Sequence, residues 1–147
     1  SSTQNITGVY DLSGCVLERV SAYIENTSGA SNRSAYGGSL ITETELKYKT
    51  IYPHNSSSDS NENNYNAYKN AKTTTYGYGD AILETSTKGS GSNSWNGDYS
   101  NFPYSSGPFF VRGGRYNIGA GAGEFAFNIT DGGPAYCDGF RAVLVAE

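Results

Sequence analysis

Few residues in this chain have the chemistry for a reaction, and their spacing argues against one. The single histidine, His54, sits in a Pro-His-Asn-Ser-Ser stretch. Ser-His-Asp and Cys-His catalysis would both rest on it, as would a histidine-based zinc site; it reads as a solvated loop histidine. Asp11 and Glu18 are two carboxylates seven residues apart. They read as partners for backbone groups or an arginine rather than as an acid–base couple. Gly119-Ala-Gly-Ala-Gly123 has the glycine content of a phosphate cradle. It lacks the Gly-x-Gly-x-x-Gly spacing, and a strand pattern follows it where a helix is required, so it reads as a turn. Trp95 with Tyr99 and Tyr104 has the chemistry of a sugar-stacking platform, and equally that of a loop anchor. No catalytic residue and no cofactor is expected, and metal is left open.

Two cysteines remain, Cys15 and Cys137. They form either a long-range disulfide or two free thiols. A Cys-poor chain rich in Asn and Ser looks extracellular, where a disulfide persists. The bridge would close a loop of about 120 residues and stabilise by up to about 5 kcal/mol in the chain-entropy view. Asn-x-Ser/Thr occurs at Asn5, Asn26, Asn32, Asn55 and Asn128, which chance alone explains in so Ser- and Thr-rich a chain.

The 147 residues suit one domain. Leu, Ile, Val and Phe number only 25, a thin aliphatic core. Tyr, Ser, Gly and Asn together supply 65 residues, 13 of them Tyr. That is the composition of binding loops, in which Tyr gives rigid area and the small polar residues give adaptable hydrogen bonds. The net charge is −4 and the ten basic residues do not cluster, which excludes the footprint of a nucleic-acid binder. No apolar run approaches the roughly 18 residues that cross a bilayer, so no membrane contact is expected of this segment.

The elements that must position these groups are short. Val16 to Ile24 fits both helical and alternating spacing, and its β-branched and aromatic content favours a strand. Glu43 to Ile51 reads as a short helix with a Thr cap, ended by Pro53. Residues 26–38, 53–66 and 86–101 read as polar loops. A short element is expected within Tyr76–Ser86. Phe109 to Val111 reads as a strand ending at Arg112. Glu124 to Ile129 alternates, with Phe125, Phe127 and Ile129 on one face, and Phe140 to Ala146 fits a central strand.

Three of these segments carry patterns that belong together. They are Gly8-Val-Tyr-Asp-Leu-Ser-Gly14-Cys-Val-Leu-Glu18-Arg, Phe110-Val-Arg112-Gly113-Gly114-Arg-Tyr116 and Gly139-Phe140-Arg141-Ala-Val-Leu. In this order and at this spacing they resemble the formylglycine-generating-enzyme-like (sulfatase-modifying-factor) family. There the segments run Gly-Leu-Tyr-Asp-Met-x-Gly-Asn-Val-Trp-Glu-Trp, Arg-Gly-Gly-Ser-Trp and a terminal Gly-Phe-Arg. The resemblance covers Gly8 to the C-terminus and is weakest in the middle third. It implies a single α+β domain over 1–147 with a C-type-lectin-like fold: a small twisted antiparallel sheet, one or two short helices and extensive ordered loops.

The departures are informative. Cys15 stands where Asn is usual, Leu17 and Arg19 where Trp is usual, and Arg115-Tyr116 where Ser-Trp is usual. The family's enzymes bind copper through two closely placed cysteines, and neither Cys15 nor Cys137 matches those positions, so no activity is carried over. In this fold the first motif and the last strand lie close, which implies that Cys15 pairs with Cys137. Arg112 is expected to enter a loop-rich core and satisfy carbonyls, beside Gly113 and Gly114, which adopt conformations closed to other residues. Gly139 and Phe140 belong to the closing motif, and Arg141 is expected to find Asp11 or Glu18.

The same resemblance points to the non-enzymatic relatives: variable proteins of diversity-generating retroelements, phage tail-tip binders and pilin-like domains. In the variable proteins the ligand is met between the Arg-Gly-Gly and Gly-Phe-Arg motifs. In this chain the outward candidates there are Arg115, Tyr116, Asn117, Asn128, Thr130, Asp131 and Tyr136, with Trp95 as a further aromatic. The expectation is a lectin-like adhesin or receptor-binding module on a cell or virion surface, contacting a protein or glycan. The alternative is a structural subunit of an extracellular filament or coat that associates with itself.

Overall fold

The computed structural model describes residues 16–25, 35–45, 49–73, 81–119 and 122–139. The expectations for Cys15, Asp11, Phe140, Arg141 and the closing apolar run lie outside them. Among the described residues the protein is mixed α+β, with few helices and one small open sheet.

The spine of the sheet is β1 (Leu17–Ile24). Its β-branched and aromatic side chains suit a pleated, half-buried surface better than a helix. On one side it pairs in parallel with β2 (Thr50–Tyr52) and, near its start, with β7 (Asp138–Gly139). On the other it pairs antiparallel with β5 (Phe109–Arg112), which continues to β6 (Phe127–Thr130). The short strands β3 (Ser90–Gly91) and β4 (Ser100–Asn101) complete that side. The registers of β1 and β5 shift between Arg19 and Tyr23, a bulge that re-aims the side chains between them.

The α-helices include α1 (Gly38–Thr42), α2 (Asn61–Thr73) and α3 (Ala81–Thr85). The first lies before the helix expected over 43–51. Thr50 to Tyr52 extend instead to pair with β1, because Tyr52 gains a place in the core. Lys49 completes α1 by donating to the carbonyls of Leu40 and Ile41 at 3.3 and 3.1 Å, a cation at a helix C-terminus. The polar stretch 53–66 is likewise not all loop, since its second half opens α2. Ser60 caps that helix, its carbonyl and hydroxyl accepting from the Asn64 and Asn63 N–H groups. Asn64, Tyr65 and Tyr68 turn into the protein at helical spacing.

The main core lies between α2 and one face of the sheet. It consists of Ala22, Tyr52, Tyr65, Tyr68, Phe102, Phe110 and Phe127. Phe102 is its hub, 5.3 Å from the rings of Tyr52 and Phe110 and 5.8 Å from that of Tyr65, all nearly edge to face. Tyrosine thus replaces the missing aliphatic side chains, and its polar tip must be satisfied: the Tyr65 hydroxyl donates to the Ser86 carbonyl. Buried Asn64 is satisfied on both sides. It donates to Asp59 and the Pro103 carbonyl at 2.8 and 3.1 Å and accepts from the Asn55 N–H at 2.8 Å. Among the described residues the opposite face of the sheet carries a second, smaller cluster, Leu17, Val111 and Cys137.

Candidate functional site

The face of this second cluster carries several of the expected contact residues. Register places Arg19, Val111 and Asn128 in one row across β1, β5 and β6, with Phe109 beside Thr130 in the next pair. Residues that face each other across paired strands share a face, so Asn128 and Thr130 stand on the same side as Arg19.

Arg19 organises the loop after β6. Its Nη1 donates to the Gly132 carbonyl at 3.0 Å, and its Nη2 donates to the Gly133 carbonyl and pairs with Asp138. The loop braces itself as well. Thr130 Oγ1 accepts from the Gly132 N–H at 3.2 Å, and Asp131 Oδ1 from the Gly133 N–H at 2.9 Å, both side-chain mimics of a backbone turn. Gly132 has φ of +96°, and a Cβ there would lie 2.7 Å from Tyr36 Cβ and 2.8 Å from the Phe109 ring. Only glycine lets the turn settle between them.

Arg115 holds the far end. Its Nη1 donates to Cys137 Sγ at 3.2 Å. That contact, with the nearby Tyr136 and Asp138, holds the guanidinium above its ordinary pKa although burial works the other way. The segment 130–138 is therefore tied down at both ends, by two arginines with a guanidinium fork suited to several acceptors at once. Between the ties Tyr136 is 80% exposed, and Tyr116, next to Arg115, is 75% exposed.

The expected contact residues thus divide by what their side chains already do. Arg115, Thr130 and Asp131 shape the loop. Asn128 accepts from Asn101 Nδ2 at 3.0 Å and from the Ile129 N–H at 2.8 Å, so it too belongs to the frame. Tyr116, Asn117 and Tyr136 face solvent. Trp95 stands apart: its half-exposed ring packs edge-on against Phe125, 5.2 Å away, which makes it an anchor for the 94–98 turn. Cys137 is buried and free among the described residues. The Leu17 N–H donates to its carbonyl at 2.8 Å, so the start of β1 and Cys137 are adjacent.

Three expectations are corrected. Arg112 does not enter the core to satisfy carbonyls: its side chain is 55% exposed and binds the buried Glu18 carboxylate through Nε at 2.9 Å and Nη2 at 2.8 Å. Register explains this, since Arg112 lies opposite Glu18 on the strand pair. Arg19 performs the task expected of Arg112. Gly113 does take a left-handed conformation at φ +70°, while Gly114 serves close approach, because a Cβ there would overlap the Ala122 backbone. Gly139 is also a close approach, a Cβ there lying 2.6 Å from Val16. Finally, His54 is not solvated: its side chain is only 13% exposed and its Nε2 lies 3.4 Å from Asp59. Asp59 also accepts from Ser105 and Asn64. Asp59 stands between the two, so no histidine bridges a serine to a carboxylate and the triad order is absent.

Two residues of this face escaped the sequence reading, Arg19 and Tyr36. Tyr36 lay inside a segment read as polar covering. Beside it opens a cleft of about 590 Å³, bounded by Arg19, Phe109, Thr130 and Gly132. A second cleft, of about 570 Å³, lies on the other face among Tyr52, Tyr68 and Phe125. Among the described residues no group of three or more His, Cys, Asp or Glu is placed to hold a metal, and no helix is long and apolar enough to cross a membrane.

No family model, no curated protein and no solved structure matches this chain.

Proposed function

We propose that this protein is a non-enzymatic, surface-displayed binding domain that contacts a protein or glycan through the face bearing the 130–138 loop. In this reading it resembles the non-enzymatic members of the formylglycine-generating-enzyme-like family, with a C-type-lectin-like fold, displayed on a pilus-like filament or phage tail fibre. The observation that carries the reading is the division of labour on that face. Arg19 and Arg115 tie the loop down, Tyr136 projects from it 80% exposed, and Tyr116 stands 75% exposed next to Arg115. A braced loop presents aromatic anchors with little ordering cost on binding.

The test is saturable binding of the fluorescently labelled domain to a panel of intact bacterial cells. The Tyr116→Ala/Tyr136→Ala variant should keep its circular dichroism spectrum and lose most of its binding. Undiminished binding by that folded variant refutes the site.

A second reading, a subunit of an extracellular filament or coat, draws on Val16, Val20 and Ile51, which are exposed on β1, β2 and the residue before β1. Concentration-dependent assembly in light scattering, abolished by Val20→Lys, would favour it.

A further inference from the structure

The cleft beside Tyr36 is not used by the two exposed tyrosines, and its chemistry is specific. Its volume of about 590 Å³ falls within the range of small-molecule sites. The ring of Tyr36, 53% exposed, forms one wall. Ser21, Ser39 and Thr130 place hydroxyls around it. Thr130 Oγ1 accepts from Gly132, which leaves its own O–H to donate. Gly37 and Gly38 add wall without side chains, their carbonyls accepting from the Ile41 N–H and the Thr42 hydroxyl. The β1 bulge contributes directly. Val20 and Ser21 are consecutive yet both exposed and both on the cleft, whereas a regular strand would send them to opposite faces.

Charge narrows the ligand. Arg19 is the one charged side chain among the described residues lining the cleft. Both its terminal nitrogens are engaged, by two loop carbonyls and by Asp138, which cancels its charge. Among the described residues an anionic ligand would find no uncompensated partner there and would lose hydration on entry. Beside Arg19 the described lining offers the Tyr36 ring, the apolar Val20, Leu40, Phe109 and Phe110, and the Ser39 and Thr130 hydroxyls, a set that matches a ligand with an apolar ring face, a hydroxyl edge and no charge.

We propose that this cleft binds a neutral saccharide, one sugar face stacked on Tyr36 and hydroxyls bonded to the Ser39 and Thr130 side. The proposal rests on the reading of the protein as a binding module and supplies its ligand class.

The experiment uses the methyl glycosides of glucose, galactose, mannose and N-acetylglucosamine, with maltose and lactose, as neutral probes. Sialic acid and glucose 6-phosphate are the charged ones. Binding is read by saturation-transfer NMR at millimolar concentration. At least one neutral probe should bind saturably and the charged probes should not. Tyr36→Ala should weaken binding about tenfold, and Tyr36→Phe, which keeps the ring, by less than about threefold. Gly38→Trp offers a variant that does not depend on removing Tyr36. Among the described residues nothing lies within 4 Å of the Cβ position at Gly38, so a side chain can be added on this stretch of the cleft wall, and binding should fall.

The inference is overturned if no neutral probe binds, if only charged probes bind, or if binding survives both Tyr36→Ala and Gly38→Trp. It also falls if saccharide binding is lost in Tyr116→Ala/Tyr136→Ala and kept in Tyr36→Ala. That result would move the ligand to the loop tip and leave the module reading standing. Cell binding that no neutral saccharide competes would have the same meaning.

Discussion

Removing Arg19 should loosen the 130–138 loop first and the whole fold second. Arg19→Ala deletes two charge-assisted bonds to the Gly132 and Gly133 carbonyls and strands Asp138, whose side chain is only 11% exposed. Hydrogen bonds to charged groups contribute about 1.5–3 kcal/mol each, and losing one partner of a buried pair costs about 3–5 kcal/mol. Arg19 is itself 32% exposed, so water replaces part of the loss, and a net cost of about 3 kcal/mol follows. Against a typical stability of about 5–15 kcal/mol this is large but survivable. With a urea slope of about 2 kcal/mol/M the midpoint should fall by about 1.5 M at unchanged slope. Arg19→Lys keeps the charge and loses the fork, and should recover about half. Hydrogen exchange separates local from global effects, because the Gly132 and Gly133 amides should lose protection before those of β5. A cost below about 0.5 kcal/mol, or no coupling with Asp138→Asn in a double-mutant cycle, would refute the role given to Arg19.

Phe102→Ala removes the hub of the aromatic core and should cost about 3–5 kcal/mol, read by thermal melting. Gly114→Ala drives a methyl into the Ala122 backbone and should cost about 1–3 kcal/mol in the same assay. Burial pushes the Asp59 carboxyl up, but bonds from Ser105 and Asn64 and the charge of His54 outweigh it and hold the pKa below the ordinary value. That stabilisation is complete above the unfolded carboxyl pKa of about 3.9 and is lost as pH falls through the lower folded value. Asp59→Asn should therefore flatten the drop in melting temperature below about pH 4; an unchanged profile would contradict this. Peptide mapping without reductant should recover a Cys15–Cys137 linked peptide, and quantitative alkylation of both thiols would disprove the bridge.

The sequence reading succeeded where side-chain type and period agree. β1 was legible from its β-branched and aromatic content, and the strand read over Phe109–Val111 formed as Phe109–Arg112. The strand expected over 124–129 formed as Phe127–Thr130, because Asp98 takes the Phe125 N–H at 2.9 Å and ends the ladder early. α2 escaped notice because its buried positions are Asn64, Tyr65 and Tyr68, which hydropathy scores as surface. Tertiary hydrogen bonds, unreadable from spacing, make them core. The face of the candidate site was legible as the 115–136 segment. The roles within it were not, because whether Thr130 or Asp131 meets a ligand or braces a turn depends on a Gly-Gly pair held by an arginine more than a hundred positions away. Arg19 takes the role expected of Arg112 for a similar reason. Strand register, rather than the neighbouring glycines, decides which arginine reaches the loop carbonyls.

The most direct measurement of the central claim is the affinity of the labelled domain for intact bacterial cells, wild type against Tyr116→Ala/Tyr136→Ala, at matched circular dichroism spectra. Exposed aromatic anchors of this kind are worth about 2 kcal/mol or more when they carry an interface, so the variant should bind at least about thirtyfold more weakly while melting at the same temperature. Equal affinity in the two folded proteins would contradict the account.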